Sequence, residues 1–350
     1  MATMDTRRFS HPCHVGRGFL FQGKRPSTSC QYFIEKGDSQ SMFRKNALYL
    51  VLIVLITSLA LTACGKTGTP APAALTVTDG LGRTVTLEVP AQRIVSLAAS
   101  NTEILFAVGA GAQVVGRDEF SDYPAEAKAL PSVGGSFGKY TTEAIVNLKP
   151  DLVLAAEINT PELVQSLQDL GLKVYLLPNP TTIDGVYQNL TTVAQLTGHE
   201  KETKKLVESL QKRVKSVLDK VAKVTVKPLV FYELDSTDPN APYTAGPGTF
   251  VDLLIQMAGG QNLGSSLQGQ WAQISAEQLI VKNPDLIILG DSAYGVTAEA
   301  VGKRPGWEAL QAVKNGSIYP FDDNLVSRPG PRLVDGLEAM AKLLHPELYK

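Results

Sequence analysis

Glu143-Ala144-Ile145-Val146-Asn147-Leu148-Lys149-Pro150-Asp151-Leu152-Val153-Leu154 returns later in the chain as Glu277-Gln278-Leu279-Ile280-Val281-Lys282-Asn283-Pro284-Asp285-Leu286-Ile287-Ile288. Glu, Pro, Asp and Leu stand at identical offsets in the two copies. Each copy reads as a helix followed by a buried strand, because an apolar face with helical spacing gives way at proline to a short continuous apolar run. A second echo supports the first: Thr102-Glu103-Ile104-Leu105 running to Gly109-Ala110-Gly111 is matched by Thr249-Phe250-Val251-Asp252-Leu253-Leu254 running to Gly259-Gly260, each a helix stopped by glycine. The chain therefore holds two related lobes, and a ligand site is expected in the cleft between them.

Outward from the first copy, Thr76 to Leu87 reads as a hairpin about Asp79-Gly80-Leu81-Gly82. Arg93-Ile94-Val95-Ser96-Leu97 is a buried strand, and Ser100-Asn101-Thr102-Glu103 reads as a capping box opening a helix over Ile104 to Val108. Strands and helices keep alternating through Lys173-Val174-Tyr175-Leu176-Leu177, which means a parallel sheet. From Ile183 to Val221 the pattern turns helical, with one break near Thr197-Gly198-His199. Leu206, Leu210, Val214, Val217 and Val221 form its apolar face. Strand order resumes at Pro228-Leu229-Val230-Phe231-Tyr232. The expectation is an α/β chain with a first lobe over residues 76–182, one long rigid connecting helix over 183–224 and a second lobe over 225–350.

The N-terminal part has another character. Phe43-Arg44-Lys45, the apolar run from Ala47 to Leu61 and Leu61-Thr62-Ala63-Cys64-Gly65 give a basic region, an apolar region and a small-residue cleavage site. The run is short for a membrane span, and its Leu-small-small-Cys end resembles the bacterial lipobox, so residues 42–63 read as a lipoprotein signal peptide with Cys64 lipidated. A stop-transfer helix is the other reading. Residues 1–41 show no periodicity and are expected to be a misassigned or disordered extension, whereas 64–75, rich in Gly, Thr, Pro and Ala, make a flexible linker.

Composition removes several function classes. A formal net charge of −1, with no basic run in the folded part, leaves nothing to draw nucleic acid. All three cysteines, Cys13, Cys30 and Cys64, precede the first strand, so the folded part holds no thiolate metal site, disulfide or cysteine nucleophile. His199 and His345 lie in helix-end or tail contexts, so neither a catalytic triad nor a metal site is visible. Ala245-Gly246-Pro247-Gly248-Thr249 opens a helix without the Gly-Lys-Ser/Thr of a phosphate loop, and reads as a capping turn. What the loops do offer is aromatic: Phe120, Tyr123, Phe137, Tyr140, Tyr243 and Trp271, with Arg328 and Arg332 in Ser327-Arg328-Pro329-Gly330-Pro331-Arg332. Aromatics at strand ends suit a large planar ligand, although each could equally fill a core.

Taken in order, Arg93 to Leu97 with Ser100 to Leu105, Ser121-Asp122-Tyr123-Pro124, Glu143 to Leu154, Tyr243-Thr244-Ala245-Gly246 and Arg328 to Arg332 resemble the helical-backbone solute-binding proteins of ABC importers for cobalamin, haem and ferric siderophores. The resemblance runs from about Thr76 to Tyr349, with the nearest likeness to cobalamin-binding members. It implies two Rossmann-like lobes, no catalysis, no cofactor and no bound metal of the protein's own. It further implies a monomer, lipid-anchored at the extracytoplasmic face of the cell membrane or in the periplasm, serving a permease dimer with a cytoplasmic ATPase. The cargo implied is cobalamin or a related corrinoid, held by Phe120, Phe137, Tyr243, Trp271 and Arg328. Phe stands at the first two positions, where Tyr or Trp is frequent in the family. Glu143 and Glu277 match the positions that dock on the permease. A ferric siderophore or haem is the alternative cargo, for which Arg328 and Arg332 would pair with acidic groups. From another class, a carboxylate-based hydrolase would need Glu143 or Asp151 in the cleft, and a sensor input domain stays open.

Overall fold

The computed structural model describes residues 74–135 and 138–350. The apolar leader, Cys64 and Phe137 lie outside the described residues. The first lobe begins with a hairpin, β1 (Leu75–Thr78) and β2 (Thr84–Leu87), and continues through β3 (Ile94–Ser96), α1 (Ala99–Ala107), β4 (Val114–Arg117), α2 (Thr142–Asn147), β5 (Leu152–Ala156), α3 (Pro161–Asp169) and β6 (Val174–Leu177). Two helices follow, α4 (Ile183–Thr197) and α5 (Glu200–Val221). The second lobe comprises β7 (Leu229–Asp235), β8 (Tyr243–Ala245), α6 (Phe250–Met257), β9 (Gln261–Asn262), β10 (Trp271–Gln273), α7 (Ala276–Lys282), β11 (Leu286–Leu289), α8 (Ala298–Gly302), α9 (Gln311–Lys314), β12 (Ile318–Pro320), α10 (Asn324–Ser327) and α11 (Leu333–Leu344).

The first sheet is all parallel in the order β4-β3-β5-β6. The second runs β10-β8-β7-β11-β12 with β9 beside β7. Its centre is parallel, while β8 and β10 form an antiparallel ribbon at one edge. The sequence repeat supplies one strand of the central pair of each sheet, β5 or β11, and its shared aspartate ties that strand to the other. Asp151 N–H donates to Arg93 O at 2.9 Å, and its carboxylate accepts from Gln92 N at 2.8 Å and Arg93 N at 3.0 Å. Asp285 repeats this on Leu229, donating to its carbonyl at 2.9 Å and accepting from its N–H at 2.8 Å. Both aspartates thus pin the strand they precede, β5 or β11, to the start of its neighbour, β3 or β7. The residues two positions earlier, Lys149 and Asn283, both take φ +48°. The echo extends to the glycine stops as well: His199 lies against Gly109, and His345 Nε2 stands 3.2 Å from Gly259 O.

Three apolar clusters fill the body. One covers the outer face of the first sheet through Val95, Val153, Ile145 and Leu167, and a second covers that of the other sheet through Phe231, Ile287, Leu279 and Trp307. The third runs without interruption from Ile94, Leu105 and Leu154 through Leu190, Leu210 and Val214 to Val230, Leu254 and Leu337, so the lobes share one core. The stretch expected as one long connecting helix is two helices, α4 and α5, and the expected break falls at Gly198, φ +78°. The first helix, α4, packs on the first lobe, with Asn189 Nδ2 donating to Pro178 O at 2.8 Å. The 22-residue α5 buries Leu210, Val214 and Val217 and meets α11 through Arg213, which binds Asp335 at 2.5 Å and Glu338 at 2.8 Å.

One local reading is corrected. The capping box is not there: α1 starts at Ala99, after an extended Ala98 with no side-chain cap, so Ser100 to Glu103 lie inside the helix and Glu103 is buried. Packing against the sheet and the other lobe overrides the local signal. A left-handed lysine carries a steric cost that glycine escapes. Lys149→Gly is therefore expected to raise stability by about 0.5–1 kcal/mol in urea unfolding. Asn283→Gly should gain nothing, because Asn283 Oδ1 accepts from Gln311 N at 2.7 Å. A loss on Lys149→Gly would contradict the strain.

Candidate ligand cleft

Parallel strands end on one side of a sheet, and their following loops build the site there. In the first lobe those loops place Leu97, Asn101, Asp118, Glu157, Ile158 and Asn179 around a cavity of about 540 Å³, closed from the second lobe by Trp271, Ser327, Arg328 and Pro329. A further pocket of about 90 Å³ shares Trp271 and Pro329 and extends to Gly248 and Thr249. Thr249 caps α6, its hydroxyl accepting from Asp252 N at 3.1 Å.

Large apolar groups stand open to this space. Phe120 is 58% exposed, Trp271 56% and Ile158 79%, although each lines the cavity. Such exposure of big side chains in a concavity marks a binding surface. Trp271 and Tyr243, expected in loops, lie instead on the β10 and β8 ribbon. There Trp271 pairs with Ala245, and Tyr243 with Gln273. Tyr243 is not among the residues lining the cavity, so of the five expected ligand residues the structure brings together Phe120, Trp271 and Arg328. Phe137 is outside the described residues, but Gly135, Gly138 and Tyr140 around it line the cavity.

Buried hydrogen bonds fix the floor. Tyr140 donates its hydroxyl proton to Leu97 O at 2.8 Å and accepts from Asn159 Nδ2 at 2.8 Å, and Asn159 also reaches Leu97 O at 3.1 Å. Burial and the nearby Asp118 charge push the Tyr140 hydroxyl up to about 12. Asp118 accepts from Phe120 N at 3.0 Å and from the Ser121 hydroxyl, a local turn that sets where Phe120 stands. Behind it Ser121 and Thr102 hydroxyls lie 2.6 Å apart, and Thr102 donates to Ser96 Oγ at 2.8 Å.

The arginines differ from expectation. Rather than waiting for an acidic ligand, Arg328 Nη1 donates to Glu103 at 3.0 Å and to Asp122 at 2.6 Å, with Nη2 on Phe120 O at 3.3 Å. Arg332 grips the same Glu103 through Nε at 2.8 Å and Nη2 at 2.5 Å, and its guanidinium lies 4.0 Å over the Tyr123 ring. Both arginines belong to the second lobe, and every partner to the first. Glu103 is only 2% exposed, so this carboxylate is a buried ionic joint between the lobes.

Glu143 and Glu277 occupy equivalent first-turn positions of α2 and α7, and both are exposed. Backbone and Ser275 hydrogen bonds hold the Glu277 carboxyl below the usual range. Asp151 is committed to the sheet. Neither Glu143 nor Asp151 lines the cavity.

Residues 94–325 match the family described as periplasmic binding protein. The chain belongs to that family. Among similar proteins, the uncharacterized ABC transporter substrate-binding lipoprotein YvrC of Bacillus subtilis is 34% identical over 79% of this chain and 87% of its own. The crystal structure of the periplasmic vitamin B12 binding protein BtuF of Vibrio cholerae aligns with a TM-score of 0.64 at 28% identity, covering 75% of this chain and 99% of that one. The periplasmic heme-binding protein RhuT of Roseiflexus sp. RS-1 aligns with a TM-score of 0.66 at 29% identity, covering 73% and 99%.

Sequence reasoning missed Glu103, Asp118 and Asn159. Asp118 and Asn159 carry a usable signal, an Asx residue just beyond a strand. Burial holds the Asp118 carboxyl above its usual value, against the Ser121 and Phe120 hydrogen bonds and the Arg117 and Arg328 charges. A raised folded value means that stability is lost as pH rises from about 3.8 through that value. Asp118→Asn removes the ionisation, so its stability relative to the parent should grow as pH rises above about 3.8 in parallel urea titrations. A flat difference would mean that Asp118 ionises as it does unfolded.

Proposed function

We propose that this substrate-binding protein of an ABC importer captures cobalamin or a related corrinoid between its lobes and hands it to the permease. The observation that carries the reading is the charge of the cleft. Arg328 is the one cation among the described residues lining the cavity, and it is committed to Glu103 and Asp122, while Asp118 and Glu157 add carboxylates to the lining. Haem propionates or catecholate oxygens call for uncommitted cationic donors. A corrin, broad and fringed with uncharged amides, instead suits the apolar rim of Phe120, Ile158 and Trp271 and the polar lining of Ser100, Asn101, Asn179 and Asn189. The vitamin B12 binding relative supports this cargo, and the heme-binding one supplies the competing reading.

Capture without chemistry fits the placement of Glu143 and Asp151 outside the cavity. Lipidation of Cys64 would hold the protein at the extracytoplasmic face, a reading supported by its lipobox-like context and by the lipoprotein relative. The shared core and the 22-residue α5 favour a small closing motion over a wide hinge.

Titration of residues 74–350 with cyanocobalamin, haem and ferric siderophores, read by tryptophan quenching and calorimetry, should give tight binding for the corrinoid alone. Tight binding of haem or a siderophore with none of the corrinoid would overturn the cargo. For docking, Glu143→Ala with Glu277→Ala should abolish cellular uptake and leave cargo affinity unchanged, since both carboxylates stand apart from the cavity. Retained uptake would remove these residues from the permease contact.

A further inference from the structure

We infer that Glu103 sets the charge of the cargo that the cleft accepts, acting as a positioning residue behind the ligand wall. The inference deepens the corrinoid reading and rests on it for the choice of probe. Glu103 does not line the ligand cavity. It faces a groove of about 630 Å³ on the connecting-helix side, beside Phe106, Tyr123 and Arg332. Its two oxygens nevertheless take three guanidinium N–H bonds, one from Arg328, which does line the cavity, and two from Arg332.

The four charges of this joint cancel: Glu103 and Asp122 against Arg328 and Arg332. Arg328 is thereby turned from a ligand-seeking cation into part of a neutral wall, with its side chain 14% exposed. Three Arg328 N–H contacts already go to Glu103, Asp122 and Phe120 O and its charge is compensated, so an anionic ligand gains less from it than from a free guanidinium. Take away the Glu103 charge and the joint carries a net positive charge next to the cavity. Take away Arg332 as well and the balance returns. The two exchanges therefore move charge in opposite directions, although both disturb the same contacts between the lobes.

That opposition separates a selector from a strut. A strut loses affinity for every ligand in step with the contacts removed, whereas a selector changes the ratio between ligands that differ only in charge. Cyanocobalamin and the monocarboxylic acid made by hydrolysing one of its side-chain amides are such a pair. Haem dimethyl ester and haem form a second pair, which reads the same ratio where the corrinoid is not the cargo. A failure of the cargo reading and a failure of this inference are thus told apart.

The experiment measures Kd for both members of a pair in the parent, Glu103→Gln, Asp122→Asn and the double variant Glu103→Gln with Arg332→Gln. In Glu103→Gln the ratio is expected to move about tenfold toward the anionic member, with the effect shrinking in high salt. Asp122→Asn, at a half-exposed carboxylate, should move it the same way by a smaller factor, and it keeps the test alive where the buried substitution impairs folding. The double variant should bring the ratio back toward that of the parent. An unchanged ratio in both single variants, or a double variant that stays shifted, would overturn the inference.

Discussion

A carboxylate removed from water has to find its counter-charge, and in this molecule it finds it in the other lobe. Glu103 projects from α1 of the first lobe, and both of its cationic partners lie just before or at the start of α11 in the second. Leaving such a group unpaired costs several kcal/mol, far more than the pair itself contributes net. The joint therefore does less to stabilise the fold than to specify one arrangement of it. Once Arg328 and Arg332 reach Glu103, the Phe120 carbonyl, the Tyr123 ring and Asp122 are brought into the same contact. The width of the cleft follows from there, because Arg328 and Pro329 form part of its far wall.

The two sheets were legible because their signals are local and repeated. Proline, aspartate and a short apolar run recur together, and the structure shows why: each aspartate closes the same pair of backbone bonds at the start of a central strand. The amphipathic face of α5 was readable for the same reason, each apolar position answering to a neighbour one turn away. By contrast, nothing local announced the ionic joint, whose partners stand 225 and 229 residues apart. A glutamate three residues after a serine has a simpler explanation in a helix cap, and only tertiary packing refutes it. Trp271 and Tyr243 were recognised as residues facing outward but not as strand residues, since three-residue strands hold too little alternation to show a period. Placement near a cleft followed from topology. Which side chains line it depended on that ribbon, and the ribbon has no counterpart in the first sheet.

The two lobes therefore resemble each other most where they are framework and least where they face the cavity. The glycine stops, the left-handed turns at Lys149 and Asn283 and the pinned strands all occur twice. The lining does not: the first lobe supplies loops from four strand ends, while the second supplies one ribbon and the turn before α11. A symmetric frame thus presents an asymmetric pocket, which is what a ligand without two-fold symmetry demands.

The uninterrupted core beneath that pocket also ties its fate to that of the whole molecule. Leu105, Leu210 and Leu337 belong to one apolar body, so the packing of each lobe's inner face depends on that of the other. Such a shared core is expected to couple the unfolding of the two lobes rather than let them melt as independent domains. Any occupant of the cleft draws on the folded state alone, and by linkage its binding free energy adds to the stability of every element, those of the far sheet faces included. Occupancy becomes a property of the entire chain, resistance to proteolysis among its signs, rather than of the few side chains that touch the cargo.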